Sequence, residues 1–498
     1  MTAWPTLSKR FVARMLSAHA GLGLVAGAIL YVLSLSGVLV TFHDDFARWE
    51  QPGAYETARP DPAAAARALQ SAIADYQAQH GAPPAQAQLI LPNPDAPRMA
   101  TLIGGEARFV DADGGLGEAV DHPFSEFLID LHYYLHLPST LGLIVVGGFG
   151  AVMLGLVLSG FLAHPRIFRD AFRFRRSGNA KLALTDLHNR LSVWGAPFHV
   201  IVPLTGAMLG LSVLAAAAFQ PTVHDEAVHG GFFAPTFGAA LPAGETEEPL
   251  ADVEAALANQ MQRRPDVDYW LLTVENVQRE GQRVEILSIV PDRLIFGEYF
   301  LYAPDGRYLG QQGLEDGTLG QQMIAAAYQL HFGSFGGLPV KLLYAALGLA
   351  LCVVISSGIT LWLAKRESRG KPSPGLDRAW TAVIWGGPAL LAVCLVASVA
   401  GLAPGGALPV IFWLGLVALI AAAPSIGRDA LAAGLKLATG ALTLAGFAIH
   451  YAAHAGAYDT PAAFGVSLIT TASALALAAT AVPQLGRRRA GRAGEPAE

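Results

Sequence analysis

DLHNRLSVWGAPFHVIVPLTG, residues 186–206, opens on a polar helix-start signal, carries two histidines eleven residues apart in an apolar run, and closes on a Thr-Gly pair. Eleven helical residues cover about 16 Å, so His188 and His199 share one face of a helix. Ionisable residues inside an apolar span of this kind mark a functional site by default.

Composition sets the frame for that stretch. At 53% hydrophobic and 14% charged the chain is too apolar for a soluble protein and reads as a membrane protein. Its two cysteines, Cys352 and Cys394, both lie in apolar runs. A disulfide framework and cysteine-based zinc or iron–sulfur sites are thereby excluded. There is no GxGxxG or Walker-type loop after a plausible strand, so no nucleotide or flavin-dinucleotide fold is indicated. Nucleic acid is not expected as a partner, and membrane lipid is. Histidine is unusually frequent, with 14 copies.

Outward from residues 186–206 the chain alternates between apolar spans and acidic segments. Residues 1–42 hold the basic Lys9, Arg10 and Arg14 and then a first span, about 15–42, long enough to cross a hydrocarbon core of about 30 Å. It is too long for a cleaved signal peptide. Residues 43–130 have 5 Lys/Arg against 14 Asp/Glu and read as a soluble domain, with a helix at DPAAAARALQSAIADYQAQ and strands at AQLIL, RMATLI and EARFVDADGG. Residues 131–218 contain the second span, the basic loop HPRIFRDAFRFRRSGNAKLALTD and the third span. Residues 219–335, with 6 basic against 17 acidic residues, repeat the helix-then-strands pattern: EPLADVEAALANQMQ, then VDYWLLTV, QRVEILSIV and FGEYFLYAPDGRYLG. Residues 336–366 form the fourth span, and 367–498 hold four more with a basic tail. Short basic loops stay cytoplasmic, so both termini lie inside and both acidic domains outside. The last four spans suit packing, oligomer contacts or a partner site; His450 and His454 lie near one outer end.

The first 364 residues repeat themselves, each half running span, acidic domain, span, basic loop. His19 lies 18 residues before Gly37 (SLSG) and His188 lies 18 before Gly206 (PLTG); His132 lies 28 before Gly160 (VLSG) and His331 lies 27 before Gly358 (SSG). Eighteen helical residues cover about 27 Å. His19 and His188 therefore lie near the cytoplasmic face and His132 and His331 near the outer face, with the glycines of the other helix pair at the same depth. A lone histidine at a helix end is ordinarily interfacial, and small residues are common where membrane helices pack. The duplicated order argues instead for a shared role.

Zinc or iron alone needs three or four ligands at one depth, and the duplication supplies two per level. Two axial imidazoles suit haem, and without a CxxCH motif it would be non-covalent b-type. Gly37, Gly160, Gly206 and Gly358 would make room for the macrocycle. His199, whose counterpart is Leu30, is a further ligand or pocket candidate. His136 competes with His132, since LHL at 135–137 aligns with LHF at 330–332, and both could face one site if the segment is helical. His43 and His164 have no counterpart either, Trp362 standing where His164 would repeat.

At these residues the chain resembles the PepSY-associated transmembrane family, which includes iron-regulated inner-membrane proteins and ferric-siderophore reductases of bacteria. SAHAGLGLVAGAILYVLSLSGVLVTFHDD, LHYYLHLPSTLG, VLSGFLAHPRIFRDAFRFR, DLHNRLSVWGAPFHVIVPLTG, LHFGSFGG and SSGITLWLAKR carry the likeness, over about residues 10–366. The resemblance implies a mainly α, polytopic membrane protein of about eight transmembrane helices, with a four-helix haem-binding core and two periplasmic α+β PepSY-like domains, in the bacterial inner membrane. His19, His132, His188 and His331 occupy the positions matching the family's histidine motifs, and with the duplication two haems b are expected, on His19 with His188 and on His132 with His331. The implied role is electron transfer from a cytoplasmic or quinol donor to a ferric siderophore or other ferric chelate. The other reading is a non-catalytic PepSY anchor that binds peptide or regulates a periplasmic protease. The four C-terminal spans depart from the family's minimal core.

Overall fold

The computed structural model describes residues 7–164, 167, 171–172, 180–219, 244–291, 293–295, 297–313, 315, 319–457 and 460–492. Most of the basic loop after the second span, and the start of the second acidic segment, lie outside the described residues. In chain order the helices and strands are α1 (Lys9–Val40), α2 (His43–Glu50), α3 (Pro62–His80), β1 (Gln86–Ile90), β2 (Ala100–Ile103), β3 (Glu106–Val110), β4 (Leu116–Ala119), α4 (Pro123–Tyr134), α5 (Ser139–Ala163), α6 (Ala180–Trp194) and α7 (Ala196–Phe219). There follow α8 (Val253–Arg263), β5 (Asp268–Glu275), β6 (Arg283–Ile289), β7 (Glu298–Tyr302), β8 (Tyr308–Gly313), α9 (Leu319–Phe332), α10 (Gly337–Glu367), α11 (Pro374–Val399), α12 (Leu408–Ala422), α13 (Arg428–Ala453) and α14 (Pro461–Arg492). Among the described residues eight helices, α1, α5, α7 and α10 to α14, are long and apolar enough to cross a membrane. The molecule is a polytopic membrane protein with an antiparallel sheet.

The chain divides into two compact units, the first comprising residues 1–52, 122–210 and 341–498, the second residues 53–121 and 211–340. In the first, α1 packs on α5 and on α4. The short helices α2 and α4, within the segment that composition marks as acidic, belong to this apolar unit because they bury Phe46, Trp49, Phe124, Phe127, Leu128 and Leu131. The four C-terminal helices share that core: Leu390, Leu395, Phe412 and Phe447 pack into it. The stretch 186–206 is two helices, α6 and α7, interrupted at Gly195. The backbone ladder nonetheless continues through Gly195 N–H to Leu191 O (3.0 Å) and His199 N–H to Gly195 O (2.8 Å).

The second unit holds one eight-stranded antiparallel sheet, ordered β4-β3-β2-β1-β5-β6-β7-β8. Sequence suggests two separate helix-plus-strand domains. They are two four-stranded meanders joined at their first strands, with Gln86 opposite Glu275, Gln88 opposite Thr273 and Ile90 opposite Leu271. The helices α3 and α8 pack together against the sheet, over a core of Leu69, Leu89, Leu257, Leu272, Ile286 and Phe300. Asp61 starts α3 by accepting from Ala63 and Ala64 N–H, with Pro62 in the first turn, and Asp252 accepts from Ala255 N–H at α8. The duplication reaches the turns. Gly114 between β3 and β4 (φ +86°) and Gly306 between β7 and β8 (φ +77°) each lie against the paired helix. A Cβ would come within 2.5 Å of Ala64 O at the first and 2.6 Å of Ala255 Cβ at the second.

Candidate cofactor site

Three of the four duplicated histidines lie in the first unit, and each sits in the same seat. His19 of α1 turns Nδ1 to Leu156 O (2.9 Å) and Ser159 Oγ (3.2 Å) of α5. His188 of α6 turns Nδ1 to Val354 O (3.0 Å) and Ser357 Oγ (3.0 Å) of α10. His132, on the last turn of α4, turns Nδ1 to Leu33 O (3.0 Å) and Ser36 Oγ (3.2 Å) of α1. In each case the serine hydroxyl donates to that same carbonyl. A carbonyl oxygen can only accept, so Nδ1 carries the hydrogen and Nε2 keeps its lone pair. This is how metal-binding histidines are held, with the second ring nitrogen fixing tautomer and ring orientation.

The glycines complete the seat. A Cβ at Gly160 would lie 3.2 Å from His19 Cε1, at Gly358 3.3 Å from His188 Cε1, and at Gly37 2.8 Å from His132 Cε1. These glycines therefore make room for the imidazole, one step removed from making room for a macrocycle. The residue before each glycine is a part of the seat that the sequence pattern of histidines and glycines left unused: Ser36, Ser159 and Ser357 have a fourth counterpart in Thr205, before Gly206. Its hydroxyl makes the matching bond to Val202 O (3.1 Å). The signal was on view in SLSG, VLSG, SSG and PLTG. His331 lies in the last turn of α9, in the second unit.

His19 and His188 are brought together. Their ring centroids are 6.5 Å apart and the planes are 81° to one another. Imidazoles bound through Nε2 to one metal, at about 2 Å each, have ring centres about 6 Å apart. Among the described residues no hydrogen bond reaches Nε2 of either ring, and no group of three or more His, Cys, Asp or Glu is placed to hold a bare metal ion. Such a donor pair, with no further protein ligand among the described residues, is what a cofactor bringing its own equatorial nitrogens would require. Haem is such a group.

The other candidates are engaged differently. His136 is not on the helix of His132: the chain leaves α4 at Leu135 (φ +53°), and His136 follows at φ +57°. Its Nε2–H donates to Phe127 O (3.0 Å) while Nδ1 accepts from Trp413 Nε1–H (3.3 Å). Burial holds this imidazole below its usual pKa of 6.5, in keeping with a neutral ring, and burial likewise raises the neighbouring Asp130 carboxyl. His199 is 1% exposed, lies over Gly195, and has no partner for Nε2 among the described residues. His164 follows α5 with Nδ1 buried and unpartnered among them. Although burial opposes charge on His43, its ion pair with Asp44 (3.1 Å) outweighs that and raises its pKa.

The chain matches the family model described as the PepSY-associated TM region over residues 16–365. It is also 30% identical over 258 residues to an uncharacterized protein of Pseudomonas aeruginosa, a stretch covering 49% of this chain and 65% of that protein. The chain thus spans just under two thirds of the length of this relative. The family match takes in every histidine seat described above and ends where α10 does, and the chain belongs to the PepSY-associated transmembrane family.

Proposed function

We propose that the protein is a membrane electron-transfer protein that holds b-type haem on histidine pairs and reduces a ferric chelate, such as a ferric siderophore. The observation that carries this reading is the pair His19 and His188, with Nδ1 of each tied to a facing helix and the rings 6.5 Å apart. Haem bound there would supply one-electron chemistry at a potential set by its axial ligands and their surroundings. His19 and His188 would ligate its iron through Nε2. Ser159 and Ser357, with the Leu156 and Val354 carbonyls, hold the two rings at fixed orientation. His132 has the same seat, which supports it as a ligand of a second haem; His331 as its partner rests on the sequence duplication.

The substrate reaction is transfer of one electron from a quinol or cytoplasmic reductant to Fe(III) in the chelate, giving Fe(II), which hard oxygen ligands hold less tightly. Basic loops alternating with acidic segments support an inner-membrane location with both termini cytoplasmic and the acidic segments periplasmic. The reading is tested by a reduced-minus-oxidised absorbance spectrum of the purified protein with haem-to-protein stoichiometry. A bis-imidazole signal at two haems per chain is expected. A protein purified from haem-sufficient cells without that signal would favour a non-catalytic anchor.

A further inference from the structure

The four C-terminal helices lie beyond the family match, which ends at residue 365. They meet α1 and α10 through Tyr31 and Trp380, and they also reach α4 at both of its ends, at its start by way of α2. We infer that this extension acts as a clamp on α4, fixing the position of His132 through Trp413 and His136, an inference that rests on reading His132 as a haem ligand.

At its start, α4 has no cap of its own: His122 makes no side-chain bond to the first turn. Glu50, the last residue of α2, supplies one. Its Oε1 accepts from Phe124 N–H (2.8 Å), and its Oε2 accepts from Ser125 N–H (2.8 Å) and the Ser125 hydroxyl. A carboxylate on the free N–H groups of a first turn is favourable for both hydrogen bonding and the helix dipole. The residue beside it, Trp49, is fully buried between Phe447 and His450 of α13, at centroid distances of 4.6 and 4.1 Å. His450 Nε2–H donates to Trp49 O at 2.7 Å. The cap on α4 is thus anchored in the extension.

At its end, α4 stops in two successive left-handed residues, neither of them glycine. Such residues are strained and persist where their surroundings over-determine them. The over-determination is visible. Leu135 and His136 N–H both bond to Asp130 O, and the His136 ring stacks on Phe127 at 4.8 Å and donates to Phe127 O. Its remaining nitrogen accepts from Trp413 of α12, whose neighbour Phe412 meets Phe127 edge-on at 6.0 Å. His132 lies in the last turn of α4, just before this left-handed pair. If α4 turned or slid, the Nδ1 bond to Leu33 O and the fit over Gly37 would be lost together. Trp413 and His136 are therefore positioning residues for His132.

The test uses the full-length protein, redox titration and low-temperature EPR. Trp413→Phe removes the indole donor and keeps an aromatic ring. Leu414→Phe, at a neighbouring exposed position of α12, is the control. The haem lost in His132→Ala defines the outer signal, and the one lost in His188→Ala the inner. Trp413→Phe is expected to move the midpoint potential and g-values of the outer signal and to weaken retention of that haem by about tenfold. The inner signal and the control stay as in wild type, the inner signal serving as the check that the variant is folded. An outer signal unmoved by Trp413→Phe, or both signals moved equally, would overturn the clamp while leaving the haem reading intact. Absence of haem from the wild type overturns both.

Discussion

The duplicated core and the C-terminal extension are both apolar helical bundles that carry histidines, and His450 of the extension is fastened by the opposite nitrogen from three histidines of the core. In the core, His19, His132 and His188 give Nδ1–H to a carbonyl on another helix. In the extension His450 gives Nε2–H to Trp49 O, and His136, where α12 meets the core, gives Nε2–H to Phe127 O. Nε2 is the nitrogen farther from the backbone and the freer to reach a metal. A facing helix that takes Nδ1–H leaves Nε2 with its lone pair; a backbone that takes Nε2–H ties that nitrogen up. Burial alone does not separate the two classes, since His136 is half-buried like the three seated histidines.

The sharpest way to break this contrast is to remove the rings. His188→Ala and His19→Ala should each abolish the same haem, halving a stoichiometry of two as read by pyridine haemochrome. His450→Ala, which touches neither inner ring, should leave the inner haem unchanged. Loss of the inner haem in the last variant would end the distinction. A smaller effect is expected from the seats. Gly37→Ala places a Cβ 2.8 Å from the ring, against 3.2 and 3.3 Å for Gly160→Ala and Gly358→Ala, so haem occupancy should fall most in the first. Equal occupancy in all three would show that the glycines do not seat the rings.

Smaller again is the serine bond. Ser357→Ala removes one acceptor from His188 Nδ1 while the Val354 carbonyl remains. A loss of about 1 kcal/mol, or roughly fivefold in haem affinity, is expected, with an altered inner midpoint potential. The smallest effect concerns His136. Its folded pKa is lowered by burial, so its contribution to stability is complete above the unfolded value of 6.5 and is lost as pH falls from there toward the lowered folded value. Thermal unfolding in detergent at pH 7.5 and 5.5 should show a fall in wild type that His136→Asn lacks.

Much of the architecture was legible in the sequence because bilayer thickness dictates span length and the duplication supplies an internal ruler. Eight spans, the two acidic segments and the repeated histidines follow from those two facts. What escaped has physical reasons. The short helices α2 and α4 lie in acidic sequence, and only packing on distant helices reveals that Trp49, Phe124 and Phe127 face a core. The seat escaped because serine and glycine are common on membrane helices, and a carbonyl acceptor leaves no mark on the side-chain pattern. His136 competes with His132 in sequence, although the count to the glycine favours His132, because an LHL motif does not reveal two left-handed residues. The pairing of β1 with β5 joins strands 185 residues apart at Gln88 and Thr273, too distant for any local signal.

That central pairing has a consequence of its own. Two equivalent strands running antiparallel, each the first of its meander, have the symmetry of an isologous dimer interface, realised within one chain. Either meander alone would present a bare edge strand, the situation that invites unwanted association. Covalent linkage of the halves raises the local concentration of the matching edge, so the repeat satisfies itself and leaves only the short β4 and the glycine-bearing β8 at the rims.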